Sequence, residues 1–472
     1  MNRPKKAEAV IKGDMKILET DYTSVIKREL VVESRAYQDY PSTVVTCFDE
    51  RDGYLHVPRH FISDIVHLPT PEDRTSTGEF FKHNFQLSLR PERGQPTAHA
   101  KMVQHLTNNY GGILKAYTGM GKCLGRDTVV IMADGQTKLV QDVVVGDTLI
   151  GPDGAIRNVR STTEGVGPLY RIIPKKGTPW ICNDAHILSL VHTLTGKIVD
   201  IPIEDWINSS RSFKHLHKQF SVGIEKFHNN VKECPVDPYF LGMWFGDGTK
   251  LVGTVSSRQA ILKIAITNLD DILVDEIKAT AEVWGLRVRK CDSGGTRCPT
   301  YHMVNKKGTK LRTNKLLDSM RELIGGDISI PKCIMTGSRS TRLQFLAGFI
   351  DTDGNLVNKT FGIVQKRLRW ATDLWRLARS LGFYSSIKER KIKGMSYYRV
   401  RISGDTDKIP TKLPRKMAGE RCQKKVATRT GFSVDSIGEG KYFGFEIDGD
   451  RRFLLGDYTV THNTITSYAI AS

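Results

Sequence analysis

Ala116-Tyr117-Thr118-Gly119-Met120-Gly121-Lys122 reads as the front of a phosphate-binding loop, and Cys123 stands where a Ser or Thr should close it. The missing residue type occurs 341 positions later, in Thr461-His462-Asn463-Thr464-Ile465-Thr466. Removing 123–463 joins the flanks as AYTGMGKTITSYAIAS, a Walker A loop with Ala in place of its first Gly that runs into an apolar helix start. The edges of the intervening segment are Cys123 and His462-Asn463. The sequence therefore predicts a nucleotide-binding loop interrupted by an insertion, with edges of the residue types that self-excision requires.

The flanks support that loop. A helix-like run, Ala98 to Leu106, and a short strand, Gly112 to Ala116, lead into it. In that order, backbone N–H groups around Thr118, Gly119 and Gly121 and a helix N-terminus converge on the phosphates of ATP. Lys122 would reach the β- and γ-phosphates, and Thr464 would hold Mg²⁺. Both act on one nucleotide only after excision. Residues 1 to about 85 alternate short apolar runs with polar turns and carry no motif.

The chain has 472 residues, enough for about three domains. Its 70 basic and 51 acidic side chains leave +19, which favours a polyanionic partner. The eight cysteines show no framework spacing and no CxxC pair. The start, MNRPKKAEAV, lacks the apolar core of a signal peptide, and no 18-residue apolar run is present. The expectation is an intracellular protein, cytoplasmic or nuclear, in a reducing compartment, without a membrane partner.

From Cys123 the pattern turns to short strands punctuated by Asp-Gly turns. It becomes helical and basic near Lys232, and returns to strands after about Lys425. The expected organisation is a multidomain chain with a host fragment at 1–122, an all-β domain at 123–231 and 426–463, an α/β domain at 232–425, and the rest of the host at 464–472. The edges meet only if the first and last strands of the β domain are neighbours.

The chemistry of the edges is specific. The Cys123 thiol can attack the preceding carbonyl and turn the Lys122–Cys123 amide into a thioester. His186, in Asn183-Asp184-Ala185-His186, is the candidate to bond that amide and protonate its nitrogen. Thr464 would take the acyl group, and Asn463 would cyclise with help from His462. No step needs a metal or a cofactor. Alone, Cys123 reads as a buried small hydrophobe and His462-Asn463 as a polar turn; the restored loop is what sets them apart.

In these residues 123–463 resembles the intein family, whose splicing domain has a horseshoe-like all-β fold shared with hedgehog autoprocessing domains. The resemblance assigns the first-residue nucleophile to Cys123, the TxxH motif to Asn183–His186 with Asn in the Thr slot, and the terminal pair to His462-Asn463. Some inteins carry an Asp just before the FEI-like strand; here Gly444 precedes Phe445.

Within the insertion, Phe240–Gly248 (FLGMWFGDG) and Leu346–Gly354 (LAGFIDTDG) match each other. Each is an apolar run with small residues at helix-contact spacing that ends in Asp-Gly, and the two acids, Asp247 and Asp353, lie 106 residues apart. The segments after them repeat as well: a strand, a helix, then Trp284-Gly285-Leu286 or Leu381-Gly382-Phe383. Paired carboxylates at a helix seam can bind Mg²⁺ and clamp the oxygens of a phosphodiester. Between 366 and 425, 18 basic residues face 5 acidic ones, which favours duplex DNA as partner.

These two stretches resemble the signatures of LAGLIDADG homing endonucleases. The resemblance implies a pseudo-twofold pair of sheets over DNA, Asp247 and Asp353 as metal ligands, and two lysines. The first lysine slot, before Ile330-Pro331, holds Ile328, and the second falls at Lys424 or Lys425. An inactive DNA-binding remnant is the alternative that Ile328 leaves open. The flanks, 131 residues joined, resemble the start of a superfamily 2 helicase of large-DNA-virus style. A monomer is expected. The remaining alternative, a DNA-binding ATPase with a large insertion, would stay whole.

Overall fold

A computed structural model describes residues 9–12, 14–18, 23–33, 44–58 and 123–463, except 230, 250–263, 292–297, 307–313, 325–328 and 421–424, with isolated positions between 61 and 104. Two compact units result, 1–116 and 117–472. In the first, a five-stranded sheet runs in the order Asp49–Arg51, Tyr54–Val57, Asp14–Leu18, Ala9–Lys12, Glu72–Asp73. Its small core joins Met15, Ile17, Ile26 and Leu55.

The second unit has two large apolar cores, one β-rich and one around a pair of helices, and two smaller clusters in its β-rich part. The β-rich part holds β1 (Leu124–Gly125), β2 (Ile156–Pro174), β3 (Trp180–Asn183) and β4 (Ile187–His192). The helical part begins with α1 (Pro238–Asp247), β5 (Ile264–Thr267), α2 (Asp271–Val283), β6 (Leu286–Cys291) and β7 (Thr300–Asn305). It continues with α3 (Arg339–Asp353), β8 (Gly354–Val357), β9 (Thr360–Gln365), α4 (Leu368–Ser380), β10 (Tyr384–Ile392) and β11 (Met395–Ser403). The chain then returns to the β-rich part with β12 (Phe432–Ile447), β13 (Arg452–Leu454) and β14 (Val460–His462).

β2 and β12 are the spine of the β-rich part. They pair antiparallel from Val159↔Ile447 to Pro174↔Phe432, with two irregularities in register. Turns at Asp134-Gly135 and Asp153-Gly154 follow the sequence expectation, and Val129–Ile131 pairs with Thr137–Leu139 across the first. β1 and β14 are not paired with each other among the described residues. β1 lies between β3 and β12, β14 pairs with β13 in a separate two-stranded sheet, and the two edges approach at β12 through the bond of the Asn463 carboxamide to Phe445 O.

The helical part is a duplication. β5-β7-β6 and β9-β11-β10 have the same strand order, and β8 is added to the second half. Asp237 caps α1 through its bond from Phe240 N (2.8 Å), with Pro238 in the first turn. Ser338 caps α3 through Thr341 N (3.1 Å). Gly285 and Gly382 follow α2 and α4 with φ of +69° and +85°, the left-handed turn that ends a helix at least cost with glycine.

α1 and α3 pack backbone to backbone. A Cβ on Gly348 would lie 2.0 Å from the carbonyl oxygen of Tyr239, and one on Gly242 would lie 2.1 Å from that of Phe345. Neither carbonyl can move without unwinding a helix turn. Gly348→Ala should therefore lower the stability of the helical core by about 1–3 kcal/mol, read as an earlier urea midpoint in Trp fluorescence. An unchanged midpoint would mean that the helices separate without cost.

Candidate functional site

At the amino-terminal edge, Cys123 is 1% exposed and its strand is fixed on both sides. Leu124 lies opposite Cys182 on β3 and Phe443 on β12. Asn183, fully buried, clamps the residue itself. Its Oδ1 accepts from Cys123 N at 3.0 Å, and its own N–H donates to Cys123 O at 3.0 Å. The first bond falls on the nitrogen of the Lys122–Cys123 peptide, so Asn does hydrogen-bonding work in the slot where a Thr was expected.

A tight turn carries the chain from Asn183 to His186, whose N–H donates to Asn183 O at 3.2 Å. His186 is buried, lies edge-on to Trp180, and its Nε2 is 2.7 Å from Thr461 Oγ1. Sequence reasoning did not single out Thr461, since one Thr in a strand gives no signal. Beyond it, His462 lies opposite Arg452 and is half-buried. Asn463 is buried, its N–H donates to Arg451 O at 2.8 Å, and its Nδ2 donates to Phe445 O. His186, Asn463, Leu124 and Phe445 line one small cleft, with Gly444 between the β12 residues that hold the two edges. Thr118, Gly119, Gly121, Lys122 and Thr464 lie outside the described residues.

The helix seam delivers Asp247 and Asp353 together, as the matched motifs require. Gly248 and Gly354, just past the two helices, pair with Ile266 and Ile363. Two residues beyond each partner stands a carboxamide. Asn268 Nδ2 donates to Asp247 Oδ2 at 3.0 Å, and Gln365 Nε2 donates to Asp353 Oδ2 at 2.6 Å. Neither carboxamide was foreseen, although the repeat puts both at the same register. Burial in the seam raises the Asp247 carboxyl above its ordinary value. Asp353 opens to solvent at its surface, yet desolvation within the seam and the charge of Asp247 push it up to about 6. The repulsion that Asp247 exerts on Asp353 is what a bound cation would relieve.

The lysine that stands against these acids is Lys416. Its Nζ caps α3 by donating to the carbonyls of Ile350, Asp351 and Thr352 at 2.8, 2.7 and 3.1 Å, and its charge acts on both Asp247 and Asp353. Burial, and then Arg415, lowers its own pKa. Lys425 instead lies beside Lys218 of the β-rich part, and Lys424 and Ile328 lie outside the described residues. Lys332 faces Asp134 at 3.7 Å. Asp351 is not a second seam acid, because it is buried and takes bonds from Tyr239 Oη and Lys412 N, both 2.6 Å.

Each sheet turns basic residues away from the core. Arg287 and Arg289 are exposed on β6, and Lys388, Arg399 and Arg401 on β10 and β11. Lys388 lies directly opposite Arg399. Like charges so placed are unfavourable alone, and a polyanion would neutralise them.

A β-rich domain that brings its two ends to one strand, and a duplicated α/β domain with acids at a helix seam, together define a Hint domain carrying an endonuclease-type insertion. Residues 123–221 match the family described as Hom_end-associated Hint, and residues 329–411 match the family described as Homing endonuclease. The chain thus contains a Hint domain and a homing endonuclease domain, the make-up of an endonuclease-bearing intein. It is 25% identical over 372 residues to a replicative DNA helicase DnaB of Mycobacterium intracellulare, covering 68% of this chain and 54% of that protein. It is also 25% identical over 257 residues to the homothallic switching endonuclease of Saccharomyces cerevisiae, covering 46% of this chain and 42% of that protein. The chain spans about half the length of the curated relatives it matches. Among solved structures, it is similar to I-DmoI in complex with DNA and calcium, at 17% identity and a TM-score of 0.26, over 35% of this chain and 82% of that one. Because the flanks total only 131 residues, most of the alignment to DnaB runs through 123–463.

The raised Asp353 value gives a signed pH effect. The folded carboxyl, at about 6 against an ordinary 3.8, holds its proton over a range where the unfolded one has lost it. Its contribution to stability is therefore fullest below 3.8 and is lost as pH rises through about 6. In magnesium-free buffer, thermal midpoints of the helical core should fall across that window, and Asp353→Asn should flatten the fall. Parallel curves for the two proteins would contradict the assignment.

Proposed function

We propose that residues 123–463 excise themselves and join residue 122 to residue 464. The observation that carries this reading is the meeting of both edges on β12, where Leu124 pairs with Phe443 and the Asn463 carboxamide bonds the carbonyl of Phe445. In the first step Cys123 Sγ adds to the Lys122 carbonyl carbon, the C–N bond breaks, and the thiol proton passes to the freed amine. Asn183 fixes the amide under attack, and His186 is the proton donor to its nitrogen. Thr464 Oγ1 then displaces the Cys123 thiolate, which takes up the hydroxyl proton, to give an ester. Asn463 Nδ2 attacks its own carbonyl carbon, closes a succinimide and releases the Thr464 amine, with His462 assisting. That amine attacks the ester carbonyl, and a peptide bond replaces the ester. Every bond broken is matched by one formed, without ATP, metal or a second protein.

The helical domain is proposed to cut duplex DNA at the intein-free host gene. Asp247 and Asp353 would hold Mg²⁺, which their hard oxygen donors and their mutual repulsion suit. When bound, the metal supplies Lewis-acid activation and charge neutralisation at the phosphodiester. Asn268 and Gln365 orient the two carboxylates, and Lys416 adds a fixed positive charge behind them. The basic residues on β6, β10 and β11 would neutralise the DNA backbone. A single chain supplies both halves of the site, so the active species is proposed to be a monomer. Among the described residues no helix is long and apolar enough to cross a membrane.

The host flanks are proposed to rebuild a helicase P-loop for ATP and Mg²⁺ through Thr118, Gly119, Gly121, Lys122 and Thr464, so nucleotide binding begins only after excision. Intact mass after expression tests the splicing reading. The wild-type chain should give a 341-residue fragment and a 131-residue ligated product, and Cys123→Ala should give no ligated product. Asn463→Ala should leave the 463–464 bond uncut. A single unprocessed species from wild type would refute splicing. Supercoiled plasmid carrying the uninterrupted host gene should be linearised in Mg²⁺ and spared by Asp353→Asn; tight binding without cutting by wild type would select the inactive DNA-binding remnant.

A further inference from the structure

The turn that precedes the carboxyl-terminal edge is held from within the Hint domain and also from outside it. Leu455 to Thr459 joins β13 to β14, closed by Leu455 N to Thr459 O at 2.9 Å and Tyr458 N to Leu455 O at 2.7 Å. Asp457 organises it, with Oδ1 accepting from Thr459 N at 3.0 Å and Oδ2 from Thr178 N at 3.3 Å. Both Asp457 and its ionic partner, Arg379, are only 4% exposed. Arg379 belongs to α4 of the endonuclease domain. Its NH2 donates to Asp457 Oδ2 at 2.9 Å and its Nε to Asp457 O at 2.8 Å. The neighbouring Tyr458, at φ +65°, is also buried.

From this turn the chain runs straight into the reacting residues. Thr459 is anchored by Asp457, Thr461 touches His186 at 2.7 Å, and Asn463 is held on Arg451 and Phe445. β14 is only three residues long and pairs with β13 alone among the described strands. Its starting point is thus held both by backbone of the Hint domain, through Gly456 N to Val129 O at 2.7 Å and Val222 N to Tyr458 O at 3.2 Å, and by a charge that arrives from another domain.

We infer that Arg379 is a positioning residue for the Asn463 cyclisation, so that the endonuclease domain is a working part of the splicing domain and not a removable passenger. The inference rests on the splicing reading above. The amino-terminal edge is held differently, by Asn183 and by the strands on either side of β1. The two chemical steps should therefore respond unequally when the clasp is cut.

The experiment uses the full 472-residue chain and reads each step by itself. Release at Lys122–Cys123 by dithiothreitol is followed in an Asn463→Ala background, and spontaneous cleavage at Asn463–Thr464 in a Cys123→Ala background. Arg379→Met should slow the second by about tenfold or more and change the first by less than about threefold, because a buried carboxylate loses the cation that faces it. Arg379→Lys should recover part of the loss. Asp457→Asn, which keeps the shape of the turn, should give the same split and guards against misfolding of the Met variant. Equal loss of both steps in the two variants, or no loss in either, would overturn the inference while the wild type still splices. A wild-type chain that performs neither step would refute the splicing reading itself, and this one with it.

Discussion

One strand holds both ends of a 341-residue segment. β12 accepts β1 as a neighbour and offers the Phe445 carbonyl to Asn463, and it is itself held along β2 from Val159↔Ile447 to Pro174↔Phe432. The reacting groups can meet only because this long antiparallel pair is built from segments on either side of the inserted domain. Loop-closure entropy makes that tolerable, since each doubling of loop length adds only about 0.6 kcal/mol. The condition is that the insertion begin and end at neighbouring points, which the return of the chain to β12 meets. Backbone pairing thus sets Cys123 beside β12, and the Asn463 carboxamide on the Phe445 carbonyl brings in the other edge.

The helical domain depends on a different constraint, the near-contact of α1 and α3. Gly242 and Gly348 let the backbones approach, and the approach brings the C-terminal Asp of each helix to one place. Two like charges in a half-buried seam repel, as the raised Asp353 value reflects. Lys416 offsets this in part, but its ammonium is committed to three helix-end carbonyls and is fixed in place. The seam therefore keeps a deficit of positive charge at its open side, where Asp353 reaches solvent.

This division decides which parts were legible in the sequence. The edges could be read because excision restores a local pattern, and the acids because a duplicated motif repeats its own register. Asn183 could be read as a site residue from its position three before His186, although its bond to the Cys123 amide needed the fold. Lys416, Asn268 and Gln365 were not legible, since each meets its acid through a strand or loop distant in sequence. The expectation that the first and last strands would be neighbours had the right aim but the wrong route, because β12 intervenes. Thr461 gave no signal, because a Thr in a strand is ordinary until it is seen against His186.

The contact between the two domains shows how far an insertion can become integral. Arg342 of α3 has no exposed surface, and its five N–H donors go to oxygens of Gly337, Ser380, Ile224 and Glu225, with Ser380 giving both its carbonyl and its hydroxyl. Burial pushes its pKa down to about 10, so the guanidinium remains charged while bearing a desolvation penalty. Arg379 adds a second buried charge against Asp457. Apolar residues of similar volume would often hold two domains together at least as tightly, whereas removing one member of such a pair costs about 3–5 kcal/mol. Buried arginines of this kind contribute little net adhesion and a strict orientation. Where they are aimed matters more than how strongly they bind, and one of them is aimed at the turn that leads into His462.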